Sequence, residues 1–234
     1  MNISTLKIPL IRQDPESDDC LRCCALMVFK YFGDSITKDE VWKKLHVYKK
    51  RSGILGAFYQ DLGLMAIKKG YNPVIYHYDW SWWNNKVAQS SHDSKISLLK
   101  ALEELDKVKQ KWIDKKIIAK DMAYVRKGGQ FKFELPQLKT MDFYLSRGVP
   151  VILSVKGTAL YHDPTEGEPD GDYDHAILAV GKKGKDYLLK DPYLGKDRIS
   201  AEELYYSWNL SLGWMMVIKP KKGSLGTQDL VLRG

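Results

Sequence analysis

The chain has 234 residues, enough for one sizeable core, and at 44% hydrophobic and 28% charged it has the make-up of a globular protein, not a disordered or fibrous one. No apolar stretch approaches the roughly 20 residues of a membrane helix and the N-terminus lacks a signal-peptide core, so a cytoplasmic protein without membrane contact is expected. The formal charge of +8 is spread over segments such as "KALEELDKVKQKWIDKKIIAKD", where acids alternate with lysines as on a solvated helix face, and no nucleic-acid partner is expected.

In chain order, "TLKIPLI" (residues 5–11) reads as a short extended entry, kept out of a helix by Pro9. "QDPESDD" then supplies turn and capping chemistry through Pro15, Ser17, Asp18 and Asp19. From Cys20 to Phe32 apolar residues recur at steps of three and four, which predicts a helix that Gly33 stops. "SITKDEVWKKLHV" predicts a second helix with Ser35 or Thr37 as cap and Glu40 completing a capping box. "GAFYQDLGLMAIKKGYN" predicts a third, and "PVIYHYDWSWWNN" a strand running into an aromatic cluster. Residues 94–126 read as one long charged helix or a pair. "GGQFKFEL" is a turn and short strand, and "PQLKTMDFYLSRG" a helix between Pro136 and Gly148. The C-terminal part changes character: "VPVILSVKG", "DHAILAVGKKG", "DYLLKDPYLG" and "GWMMVIKP" are short β-rich runs, two of them joined by a hairpin connection at "GKKGKD". Helices first and an antiparallel sheet second define an α+β pattern.

All three cysteines fall within residues 20–24. An odd, clustered set is a poor disulfide framework. Cys20 stands where capping residues give way to the helix, a position that favours a thiolate and hence a nucleophile. Cys23 and Cys24 fall on or beside the apolar stripe and read as small core residues. The Cys-x-x-Cys spacing also admits zinc or redox chemistry. Zinc would need four ligands, and no second pair completes them; a redox pair belongs after a strand, which this segment lacks. No metal or cofactor is expected.

A catalytic thiol needs a base and a group to orient that base. Of the five histidines, His46, His77, His92 and His162 lie in helix-end or loop contexts and read as exposed or capping residues. His175 opens the apolar strand "HAILAV", and Asp191 follows at the end of the next strand; a hairpin at "GKKGKD" brings the two together on neighbouring strands. An aspartate so placed can hold the imidazole tautomer.

Taken together, "Q…DDC…CCALMVFKYFG", "GVPVILSV", "DHAILAVGKKGKDYLLKDPYLG" and "ISAEELYYSW" resemble the papain-superfamily cysteine peptidases typified by bacteriocin-processing, double-glycine leader peptidases and their stand-alone, soluble relatives. The resemblance covers residues 8–72 and 136–219. It implies a single papain-like domain over residues 1–219, its helical half carrying Cys20 at a helix N-terminus packed on a C-terminal antiparallel sheet carrying His175 and Asp191. It leaves an insertion at about 77–135 and a tail at 220–234. It also assigns Gln13 as the side-chain oxyanion donor, with the Cys20 N–H as the second. The implied activity is hydrolysis of peptide or amide bonds through an acyl-enzyme, on a peptide or protein substrate. An acyltransferase built on the same triad, or a catalytically silent binding module, are the alternatives. The family usually has a glycine straight after the nucleophile and a small residue where Cys23 stands, whereas here Leu21 and Arg22 follow Cys20, and a bulky residue there is expected to narrow the site or change the substrate. No transporter segment accompanies the motifs, so export-coupled processing is not expected.

Two further features bear on substrate. Trp80 and Trp82, with Trp83, are either core residues or an aromatic wall for a substrate chain. The loop "HDPTEGEPDGDYDH" carries six acidic residues ahead of His175, Asp174 among them. It reads as a solvated turn, a selector for basic substrates or a loose calcium loop, though it lacks EF-hand spacing. Such a loop would favour a charged imidazolium at His175.

Overall fold

A computed structural model describes residues 2–15, 17–48, 56–78, 85–109, 111–135, 137–163 and 173–220. The first helix, α1 (Cys20–Tyr31), ends where Gly33 adopts a φ of 78° and the Gly33 and Asp34 N–H groups bond back to Lys30 and Phe29. Helix α2 (Lys38–Lys44) begins in the expected capping box, Thr37 and Glu40 each satisfying the other's backbone N–H. Helix α3 (Tyr59–Lys68) is followed directly by strand β1 (Tyr71–His77). The charged stretch resolves into α4 (Asn85–Asp93), α5 (Lys95–Val108) and α6 (Trp112–Arg126), leading to β2 (Gln130–Phe133). Then come α7 (Leu138–Leu145), β3 (Val151–Lys156), the short α8 (Gly157–Tyr161), the β4–β5 hairpin (Asp174–Lys183 and Asp186–Lys190), β6 (Arg198–Ser200), α9 (Ala201–Leu210) and β7 (Met215–Pro220).

The seven strands form one sheet in the order β2-β1-β7-β3-β4-β5-β6. Every pairing is antiparallel except β1 with β2, whose connection runs through three helices, as a parallel crossover requires. The expected α+β arrangement of a helix bearing Cys20 against an antiparallel sheet is therefore present. The sheet also draws β1 and β2 from the middle of the chain, so it is not confined to the C-terminal part.

Both faces of the sheet are covered. On one face Ile75, Ile152, Ala176, Leu178 and Val180 pack with residues of α1, α3, α5 and α6; on the other Ile177, Ala179, Leu153 and Val217 pack with α7 and α9. Burial on both sides explains why "VPVILSV" and "HAILAVG" read as near-continuous apolar runs and not as alternating ones. Each fully buried Val, Leu or Ile contributes about 1.5–3 kcal/mol. Val87, Leu98, Leu102, Ile118, Tyr124 and Phe131 belong to the same core as α1, so residues 85–133 share its interior. Among the described residues no helix is long and apolar enough to cross a membrane.

Candidate active site

Cys20 is the first residue of α1, where backbone N–H groups have no intrahelical acceptor. Of the three cysteines it alone is half-exposed; Cys23 and Cys24 are fully buried, as expected of core residues. Burial pushes the Cys23 thiol up to about 12, and Cys24 Sγ donates to the Ala176 carbonyl at 3.5 Å. Asp19 occupies the N-cap but its side chain does not cap. Its carboxylate is taken by Arg22 at 2.9 Å and by Trp42 Nε1 at 2.8 Å. Arg22 goes on to the Leu45 and Trp42 carbonyls at 2.7 and 3.0 Å, so it staples the start of α1 to the end of α2. Leu21 is 3% exposed and turned into the core, with only an edge on the cleft wall.

His175 lies at the start of β4 opposite Val155 of β3, and Asp191 directly follows β5. The hairpin brings His175 Nε2 to 2.8 Å from Asp191 Oδ1. Asp191 is wholly buried, and its oxygens also accept from the Tyr193 N–H at 2.9 Å, the Lys196 N–H at 3.0 Å and the Tyr161 hydroxyl at 2.9 Å. Burial alone would raise this carboxyl; the donors around it, His175 foremost, outweigh burial and hold it at about 2. For His175 burial works downward, and the hydrogen bonds with Asp191 and Cys20 outweigh it, lifting the imidazole to about 9. An ionised Asp191 can only accept, so Nε2 carries the proton and Nδ1 is left for the Cys20 sulfur. Tyr161 and Tyr193 stand with ring centroids 6.0 and 6.1 Å from the imidazole and wall it from the side.

Gln13 is tied to the same place. Its N–H bonds the Pro192 carbonyl at 2.9 Å, Arg12 bonds the Tyr193 carbonyl at 2.8 Å, and the Gln13 amide Nε2 donates to Ser17 O at 2.8 Å. The amide has a second N–H, and Gln13 lines the cleft.

Cys20, His175 and Gln13 thus border one cleft of about 680 Å³, whose walls include Tyr59, Ser154 and Asp174. Asp174 accepts from Ser211 Oγ at 2.8 Å and Lys156 Nζ at 3.1 Å. Trp80, Trp82 and Trp83 lie outside the described residues. Among the described residues no three His, Cys, Asp or Glu side chains gather as a metal would need. Three other histidines behave as expected: His92 and His162 pair with Glu134 and Glu203 near the surface, and His46 packs on Tyr48. His77 does not. It lies within β1, fully buried, stacked on Trp214 at 4.0 Å, because the strand reaches one residue further than a loop reading allowed. Sequence reasoning also missed Tyr161 and Tyr59, which belong to no motif, and Ser154, which lies within "GVPVILSV" but was not singled out; Tyr193 had a signal, two residues after Asp191.

The fold and cleft together define a mixed α/β protein whose cleft is bordered by a thiol and by an imidazole that is hydrogen-bonded to a buried carboxylate. No protein-family model matches the chain, and no curated protein matches it in sequence. Solved structures similar to it include a double-glycine-motif protease from an AMS/PCAT transporter in complex with its leader peptide (16% identity, TM-score 0.48, 94% of this chain and 99% of that one). Another is described as a C39-like peptidase from Bacillus anthracis (14%, 0.48, 93% and 97%). A third is the peptidase domain of Streptococcus ComA, a bifunctional ABC transporter of a quorum-sensing pathway (13%, 0.46, 91% and 98%). At these values the functional reading rests on the cleft itself.

Proposed function

We propose that this chain is a papain-like, cysteine-dependent hydrolase of peptide or amide bonds. The observation that carries the reading is that Cys20 and His175 border one cleft, with the buried carboxylate of Asp191 hydrogen-bonded behind the imidazole.

In this mechanism the Cys20 sulfur attacks the substrate carbonyl carbon and His175 holds the thiol proton. The carbonyl oxygen takes up negative charge and receives hydrogen bonds from the Cys20 N–H and from the free N–H of the Gln13 amide. As the carbon–nitrogen bond breaks, His175 gives its proton to the departing amine, leaving an acyl group on sulfur. Water, deprotonated by the same imidazole, attacks the thioester and releases the acid, and the proton returns to the thiol. Asp191 stays ionised throughout and keeps the imidazole aligned.

The test is an acyl-transfer assay with a peptide nitrophenyl ester. We expect an acyl adduct on Cys20 by mass spectrometry, absent in Cys20→Ala, slowed about 10²–10⁴-fold in His175→Ala, and released by water. Absence of an adduct at Cys20 would refute the reading. Release only on adding an amine would move it to acyl transfer.

A further inference from the structure

We propose that Cys23 is a resolving thiol for Cys20: once a hydroperoxide has oxidised the Cys20 sulfur, Cys23 closes a Cys20–Cys23 disulfide that silences the site reversibly. The proposal rests on the thiol-hydrolase reading above, since it needs Cys20 to be the thiol that is oxidised first.

The three thiols differ in what surrounds them. Peroxides are attacked by thiolates, and susceptibility follows thiolate character and exposure. Cys20 is half-exposed in the first turn of α1 and borders the cleft together with His175. Cys23 and Cys24 have no exposed surface. Burial holds both as protonated thiols, Cys23 pushed up to about 12, so neither competes with Cys20 for an oxidant. Their surroundings then separate them. Cys24 belongs to the apolar layer between α1 and the sheet, and its Sγ is committed to the Ala176 carbonyl of β4 at 3.5 Å. Cys23 lies under the first turn: after burial, the charges acting on it are those of Asp19, Cys20, Lys38 and Asp14. These belong to the turn ahead of α1, its first residue and the start of α2.

Helix geometry sets the reach. Residues three apart on an α-helix have Cα atoms roughly 5 Å apart and Cβ atoms about 5–6 Å apart. A disulfide accepts that Cα distance but brings the Cβ atoms within about 4.5 Å. The turn must therefore tighten by about 1 Å. A first turn can do so, because the N–H groups of Cys20, Leu21 and Arg22 have no intrahelical acceptor to lose. The Asp19 side chain does not cap them, and the turn is closed by the Cys23 N–H bonding the Asp19 carbonyl at 2.9 Å. Cys24 has no such freedom, since reaching Cys20 takes its sulfur off Ala176 and out of the apolar layer.

The chemistry balances with a hydroperoxide as oxidant. The Cys20 thiolate attacks the hydroxyl-bearing oxygen, the O–O bond breaks, an alkoxide or hydroxide leaves, and Cys20 carries a sulfenic acid. The Cys23 sulfur then attacks the Cys20 sulfur, the S–O bond breaks, and the departing hydroxide takes the Cys23 proton as water. The two sulfurs together give two electrons to the peroxide, and a dithiol reductant restores both thiols. The bridge also diverts Cys20 from the sulfinic acid, which thiols do not reduce.

The experiment exposes the reduced full chain to hydrogen peroxide, with and without dimedone, and maps the thiols by mass spectrometry after trypsin. Trypsin cuts after Arg22, so a bridge from Cys20 keeps residues 13–22 joined to residues 23–30. Wild type and Cys24→Ala are expected to give this joined species and to regain Cys20 labelling by iodoacetamide after dithiothreitol. Reduced Cys23→Ala is expected to label at the wild-type rate, since Cys23 takes no part in the hydrolytic mechanism. After peroxide it should give no joined species, accumulate the dimedone adduct, and regain about ten-fold less labelling with dithiothreitol than the wild type. Cys23→Ser repeats the test should the alanine variant fold poorly. A joined species that persists without Cys23, or a wild type that labels rapidly yet never joins, overturns the resolving role alone. Reduced Cys20 that iodoacetamide labels no faster than a free cysteine peptide overturns the thiol reading and this proposal with it.

Discussion

Asp191 accepts hydrogen bonds on both oxygens, and His175 is only one of the donors it satisfies. Burial would neutralise both members of this pair; together they stay charged because each supplies what burial took from the other. Replacing the carboxylate therefore leaves only Cys20 to oppose burial at the imidazole. In Asp191→Asn we expect the His175 C2–H resonance to titrate clearly below about 9, and hydrolysis to fall with it. A titration midpoint unmoved by the substitution would contradict this account. The sign for stability follows: the proton that folding retains on His175 stabilises the chain fully below about pH 6.5, and that contribution is lost as pH rises through about 9. At this scale the sequence was informative where chemistry is local. The turn before Cys20, and a hairpin short enough to count across, brought Cys20, His175 and Asp191 into view. Tyr161, Tyr59 and Ser154 were invisible, because they come from α8, α3 and β3 and meet the cleft only through the fold.

Among the elements, α1 is instructive because its cap is not capped. Asp19 has the right identity and position, but its carboxylate serves Arg22 and Trp42, and the helix start is held by Arg22 reaching two carbonyls across to α2. Arg22→Ala removes these bonds and leaves Asp19 partly buried beside Trp42. We expect a loss of about 2–3 kcal/mol in urea unfolding, with the site weakened because Cys20 rides on the same turn. A change below about 0.5 kcal/mol would mean the staple is ornamental. The pattern of residues 12–33 predicted the helix and both its limits; it could not predict that a side chain 23 positions away, Trp42, would claim the cap.

At the scale of the whole molecule, the interior carries a second polar group of residues away from the cleft. Gln60 Nε2 donates to Asp121 Oδ1 at 2.6 Å, with His77 Nε2 4.0 Å from the other oxygen, all three buried. Burial pushes Asp121 up to about 8 and His77 down to about 3. Relative to the unfolded chain, the folded one holds an extra proton on Asp121 between about pH 4 and 8 and lacks one on His77 between about 3 and 6.5. The two cancel in the overlap, so this group of residues costs stability as pH rises from about 6.5 to 8, with a slope approaching ~1.4 kcal/mol per pH unit. Asp121→Asn is expected to exceed the wild type in stability by a margin that widens from pH 5 to pH 8 in urea melts; a variant less stable than wild type at pH 8 would argue against it. None of this was legible in the sequence, where His77 read as a loop residue. The β-rich C-terminal part was, through its apolar runs. The parallel pairing of β1 with β2 was not, since that neighbour lies more than fifty positions along the chain and no local pattern encodes it.

The N-terminal residues have a consequence of a mechanical kind. Ile3 and Lys182 exchange backbone hydrogen bonds at 2.9 and 3.1 Å, Leu6 bonds Val180, and the segment crosses β4 at Gly181, where a side chain would sit 3.0 Å from the Thr5 backbone. The same segment ends in Arg12 and Gln13, latched to the loop after Asp191. Load applied ahead of Ile3 would peel a seam that runs to Gln13, the oxyanion donor of the proposed mechanism, and to the loop that gives Asp191 two of its N–H donors. On that mechanism, tugging on this leash would disarm the chemistry before it opened the body.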